Sequence, residues 1–226
     1  MAVLLATLFP TLFFRKANEG LFDEIMEISG VAFILLGQIF RVSARGFKSE
    51  HSQEGNVLIQ AGPYALVRNP MYLGILLIGL GIVMMLFNWW VAGIFLLVFV
   101  TRYLLLIFKE EKKLLALFSK DYQDYCRKVP RIFPSITTIS KMDIVEYLPL
   151  KLPWIKKEIG PILAVLLITV FLESWEDIRN EGMSAYLKEA IVIIATVILF
   201  TGLIIYLSRR TANREKDVSN KSRITL

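Results

Sequence analysis

The sequence predicts an all-α integral membrane protein, a helical bundle of five or six transmembrane helices, and three observations predict it. Of 226 residues, 55% are hydrophobic, and the mean hydropathy is +0.56. The apolar residues gather in runs near the ~20 residues that a bilayer core demands. Lysine and arginine, which give a net charge of +6, crowd the ends of those runs. Basic charge in that position faces lipid phosphates, so membrane lipids are expected as partners and nucleic acid is not. The single cysteine, Cys126, and single histidine, His51, leave no internal disulfide, no Cys-based zinc site and no His cluster, so no metal is expected.

Taken in order, the first apolar run, residues 2–14, is short and carries Pro10, which makes its membrane crossing doubtful. It lacks a basic n-region and a small-x-small cleavage site, so a cleaved signal peptide is the weaker reading. Residues 25–40 with their flanks form one span. Residues 71–108 are too long for one helix and are interrupted at Asn88-Trp89-Trp90, which reads as a helical hairpin turning at an aromatic belt. Residues 159–172 and 190–207 make a second hairpin, entered through Trp154, Lys156 and Lys157 as an interfacial anchor. Hardly any polar residue interrupts these last runs, so they pack or anchor rather than form a transport pathway. The organisation expected is a core over 1–140, an interfacial segment and hairpin over 141–208, and a mobile basic polar tail over 209–226.

Charges orient the spans. Arg41, Arg45 and Lys48 follow the first, Lys109, Lys112, Lys113, Arg127, Lys128 and Arg131 follow the first hairpin, and Arg209, Arg210 and Arg214 follow the last. The opposite loops carry Glu19, Asp23, Glu24, Glu173, Glu176, Asp177 and Glu181. The positive-inside rule places the basic side in the cytoplasm and the protein in the cytoplasmic (inner) membrane.

On that side lies GPYALVRNPMYLG, residues 62–74. Gly62-Pro63 suits a helix start, giving a short helical turn through Val67. Asn69-Pro70 repeats the device, with Asn69 as N-cap and Pro70 as first residue of the next span. Two helix starts with unpaired N–H groups suit a carboxylate or phosphate, and Arg68 adds a forked cationic donor. Tyr64 and Tyr72 add aromatic faces with a hydroxyl. The competing reading is an interfacial belt of tyrosine and arginine that anchors a span.

The second polar cluster begins at Glu110-Glu111. At helical spacing Glu111, Leu115, Phe118, Tyr122 and Tyr125 share one stripe, so Glu111 heads an apolar and aromatic face. Its partner is Arg68, a ligand ammonium, or Lys112 and Lys113 on a solvated surface. After it, residues 129–134 (VPRIFP) are bounded by prolines, cannot be helical, and are expected to fold back over the mouth of the bundle.

These blocks, with FSKDYQDYCRKVPRIFP (residues 118–134) and the upstream Gly37-x-x-x-Arg41-x-x-Ala44, resemble the membrane methyltransferases that include isoprenylcysteine carboxyl methyltransferases and phospholipid N-methyltransferases. The resemblance covers residues 30–135. It implies S-adenosyl-L-methionine bound at the cytoplasmic mouth, with Gly62, Pro63, Tyr64, Val67, Arg68, Asn69, Tyr72, Glu110 and Glu111 as its contacts and Arg68, Glu111 and Tyr72 as the catalytic group. It also implies a lipid or lipidated acceptor, methylated on a carboxylate or an amine. Asn69 stands where the isoprenylcysteine branch usually has histidine, and Asn-Pro-Met-Tyr is similar to the phospholipid branch, while GPYxLVR is similar to the isoprenylcysteine branch, so the acceptor is left open. Asparagine does not titrate, which removes a base at that position. Residues 125–134 (YCRKVPRIFP) are also similar to membrane sterol reductases, which would use NADPH, although no Rossmann glycine fingerprint is present. Gly79-Leu80-Gly81 lies inside a span and reads as helix packing. A non-catalytic membrane scaffold is the third reading.

Overall fold

The computed structural model of the chain describes residues 21–52, 57–140, 143–180 and 183–224. Every regular element among them is a helix: α1 (Leu21–His51), α2 (Pro63–Leu66), α3 (Pro70–Leu86), α4 (Trp89–Lys128), α5 (Ile136–Ser140), α6 (Ile144–Tyr147), α7 (Leu152–Asn180) and α8 (Met183–Ile224). The apolar run at 2–14 lies outside the described residues. Two segments, Ile25–His51 and Trp89–Lys128, are long and apolar enough to cross a membrane, and Pro70–Leu86 is a shorter apolar helix. The first hairpin turns where the asparagine and tryptophans interrupt the run, between Leu86 and Trp89. The later apolar runs form α7 and α8, which pack on each other. The chain divides into two compact units, one of residues 1–41 and 71–124, the other of residues 42–70 and 125–226.

In the first unit, glycines let α1 and α3 approach backbone to backbone. A Cβ on Gly37 would lie 2.6 Å from the Gly74 carbonyl oxygen and 2.9 Å from the Ile78 nitrogen, and one on Gly74 would lie 2.7 Å from the Gly37 oxygen. Gly30 and Gly81 repeat the arrangement, with the Gly81 oxygen 2.8 Å from a Cβ on Gly30. The pairs run 30 with 81 and 37 with 74, so the helices are antiparallel. Their seven-residue spacing, two turns, keeps both contacts on one stripe. Gly79 is covered by the Phe95 ring of α4, so the glycines of α3 serve packing, as their place in a span implies. From Phe95 an aromatic series runs along α4 through Phe99 to Tyr103, with centroids 5.7 and 4.1 Å apart, and ends edge-on against Tyr72 at 5.3 Å.

The structure departs from the expected stripe on α4. Ser119 has φ 40° and ψ −107°, a conformation that Cβ disfavours, so the helix is broken there and its downstream face is turned. Leu115 upstream is 41% exposed, whereas Tyr122 and Tyr125 downstream are 3% and 4% exposed. Glu111 therefore does not head one continuous stripe.

In the second unit, the end of α1 packs under the N-terminus of α7. The Trp154 ring covers Gly46 and meets Phe47 edge-on at 6.5 Å. Arg45 pairs with the buried Glu158 at 2.8 Å. Lys151 reaches Glu50 and Glu215, both at 2.7 Å. Partial burial pulls its ammonium down, but the hydrogen bonds to Glu215 and Glu50 outweigh that and raise it above the usual lysine value. The Lys151 pairs are therefore intact at neutral pH and are lost only as pH rises through that raised value. The polar stretch after residue 208, expected to be mobile, continues α8 as helix to Ile224. Thr211 is buried and accepts the Leu150 N–H at 3.2 Å, and Arg214 forks onto Asp143 at 2.7 Å and Glu146 at 2.9 Å.

Three substitutions test this packing and the bend by thermal unfolding in detergent. Gly37→Ala should destabilise by about 1–3 kcal/mol, because its methyl meets backbone that cannot rotate away. Gly93→Ala, with nothing within 4 Å of its Cβ, should be neutral or gain up to ~1 kcal/mol of helix propensity. Ser119→Gly should stabilise by about 1 kcal/mol, since glycine adopts that conformation without the Cβ clash; a loss of stability would show that the bend is held by something other than this residue's backbone.

Candidate functional site

The motif at residues 62–69 is a short scaffold built from its own backbone. Gly62 has φ 58°, and a Cβ there would be both strained and 2.8 Å from the Phe47 ring. Pro63 then opens α2, a single turn whose C-cap, Val67, is extended at φ −147° and ψ 149°. The chain bends at Arg68 before Pro70 starts α3. Here the proline-bounded segment folds back, as expected: the Arg68 N–H donates to the Pro130 carbonyl at 2.8 Å and the Asn69 N–H to the Arg131 carbonyl at 3.2 Å. The Asn69 side-chain amide donates to the same Arg131 oxygen at 3.1 Å. Tyr125 donates its hydroxyl to the Tyr64 carbonyl at 2.6 Å.

This arrangement corrects one expectation. The N–H groups of Tyr64, Ala65, Val67, Arg68 and Asn69 are each given to a chain carbonyl, those of Ala61, Gly62, Pro63, Pro130 and Arg131. The turn therefore offers no open amide at these five positions, and its cationic group is the Arg68 side chain. Gly62, Pro63 and Val67 are buried, and Tyr64, Arg68 and Asn69 are half-buried. The first three act by fixing the backbone. One Arg68 nitrogen, Nη1, lies 2.8 Å from the Cys126 sulfur, so the single cysteine sits against the cation.

In the other unit, Tyr72 is half-buried, and its hydroxyl hydrogen-bonds Glu110. Glu110 is exposed and Glu111 half-buried. Thus Tyr64, Arg68 and Asn69 are assembled with Tyr125, Cys126, Pro130 and Arg131, and Tyr72 with Glu110 and Tyr103. Tyr125, Cys126, Pro130 and Arg131 were not singled out as site residues by sequence. The available signal was that a non-helical segment between Pro130 and Pro134 must place its carbonyls on some donor. Among the described residues, no group of His, Cys, Asp and Glu is placed to hold a metal ion.

The phospholipid methyltransferase family matches residues 25–121. Protein-S-isoprenylcysteine O-methyltransferase of Schizosaccharomyces pombe is 32% identical over 121 residues, 50% of this chain and 51% of that protein. The chain thus matches only about half the length of that curated relative. No solved structure matches it. The region that carries GPYALVRNPMYLG and the glutamate pair thus lies within the stretch that is similar to phospholipid methyltransferases.

Proposed function

We propose that the protein is an integral membrane methyltransferase that uses S-adenosyl-L-methionine to methylate a lipid or lipidated acceptor at the cytoplasmic face. The observation that carries this reading is Arg68, held by its own backbone N–H on Pro130 and presenting a half-buried guanidinium beside a rigid turn. Such a group suits the cofactor's carboxylate, since a planar fork can grip it with two bonds. Glu110 and Glu111 supply the opposite charge for the cofactor's ammonium, and Tyr64 and Tyr72 supply aromatic faces. Taken one by one, these side chains have the chemistry that each part of the cofactor calls for. When bound, S-adenosyl-L-methionine supplies an electrophilic methyl group on sulfur, whose bond electrons stay with the sulfur as a thioether leaves.

The chain's part in that reaction is to orient the acceptor lone pair in line with the methyl and to exclude water. A carboxylate acceptor becomes a neutral ester and needs no base. An amine must first lose a proton, and Glu110 with Tyr72, or Glu111, are the groups that can receive it. Asn69 carries no proton for this purpose, and its amide is committed to Arg131.

Titration calorimetry of the purified protein with S-adenosylhomocysteine and with NADPH tests the proposal. Binding of the first and not the second is expected, and the reverse would make the protein a reductase. Arg68→Lys should weaken S-adenosylhomocysteine about tenfold, roughly 1.4 kcal/mol, because a point charge replaces the fork. Glu110→Gln or Glu111→Gln should cost about 1.5–3 kcal/mol of affinity, the scale for a bond to a charged group; unchanged affinity in both would return the pair to a solvated surface. Orientation is checked by labelling cysteines placed at Ser49 and Ser219 after replacing Cys126. Both should be reached only from the cytoplasmic side, and labelling from outside intact cells would reverse the topology.

A further inference from the structure

The residues after the family match do more than anchor the chain. On one side α6 packs against α2, the turn of the motif, and on the other against α8. Arg214 of α8 grips the start and the body of α6 through Asp143 and Glu146, and Asp143 itself caps α6 by accepting the Val145 N–H at 3.1 Å. One residue further along α8, Glu215 holds Lys151. Lys151 also reaches Glu50 at the end of α1 and stands 5.1 Å over the Trp154 ring. Trp154 backs Phe47, and Phe47 lies against Gly62. Two routes of direct contact thus lead from adjacent residues of α8 to the motif, one ending at α2 and the other at Gly62.

We infer that the polar C-terminal extension of α8 is a clasp, with Arg214 and Lys151 as positioning residues that set residues 62–69 for the cofactor without touching it. This rests on the cofactor reading above. The paired side chains are partly exposed, between 23% and 56%, so each pair alone contributes little. Their effect comes from Arg214 spanning two acids and from Lys151 linking α1 to α8. Because the charges are near the surface, the clasp loosens with salt.

The test uses the full-length protein in detergent, with hydrogen exchange of the amides of residues 62–69 and S-adenosylhomocysteine affinity as separate readouts. Arg214→Glu should speed exchange at Arg68 and Asn69 and weaken S-adenosylhomocysteine about fivefold, the scale to which two exposed pairs sum. Adding Glu146→Lys should recover part of both, because it rebuilds one pair with reversed sign. Raising salt should move the wild type toward Arg214→Glu and leave that variant nearly unchanged. Wild-type exchange at residues 62–69 in Arg214→Glu overturns the clasp, whatever the affinity. If the wild type binds no S-adenosylhomocysteine, the cofactor reading falls, while exchange still decides the clasp.

Discussion

The arrangement around the motif depends on one constraint: two non-helical backbones must satisfy each other. Pro63 and Pro70 on one stretch, and Pro130 and Pro134 on the other, prevent either from closing its hydrogen bonds along a helix. At the edge of apolar helices an unpaired amide is costly, so the N–H groups of Arg68 and Asn69 are matched to the carbonyls of Pro130 and Arg131. Asn69 adds its side chain to the same oxygen, across 62 residues of chain. The position of the Arg68 guanidinium follows from this pairing. Much of the motif is therefore scaffold.

Which parts were legible in the sequence follows from which signals are local. Helix existence and the hairpin at Asn88 are set by run length and by proline and tryptophan punctuation, and those are printed in the order of residues. The turn at Gly62-Pro63 and the fold-back of residues 129–134 were legible for the same reason. Ser119 was not, because serine carries no local mark of a left-handed backbone as glycine would, and a helical stripe drawn through it loses register. The pairing of the motif amides was also hidden. The N–H groups of Arg68 and Asn69 read as open in their own segment and are closed only by partners from far along the chain.

The extension of α8 shows the same limit from the opposite side. Its composition is that of a solvated tail, yet Thr211, Arg214 and Glu215 lie along one helical face and find partners in the segment before α7. What distinguishes such a helix from a mobile tail is the identity of the surface it meets. Charge at its exposed edge leaves the rest of the helix soluble while that one face is engaged.

The glycine contacts between α1 and α3 act as a two-point vernier. Residue numbers in each contact sum to 111, as 30 + 81 and as 37 + 74. Sliding α3 by one heptad would keep a single glycine match, 37 with 81 or 30 with 74, and would drive a side chain into backbone at the other. Intermediate slides would lose both. The start of α3 is thereby fixed lengthwise against Arg41, whose backbone nitrogen lies 3.0 Å from a Cβ built on Gly74. An insertion between Gly74 and Gly81 would break one of the two matches even at heptad length, whereas length changes beyond Met85 leave this alignment untouched.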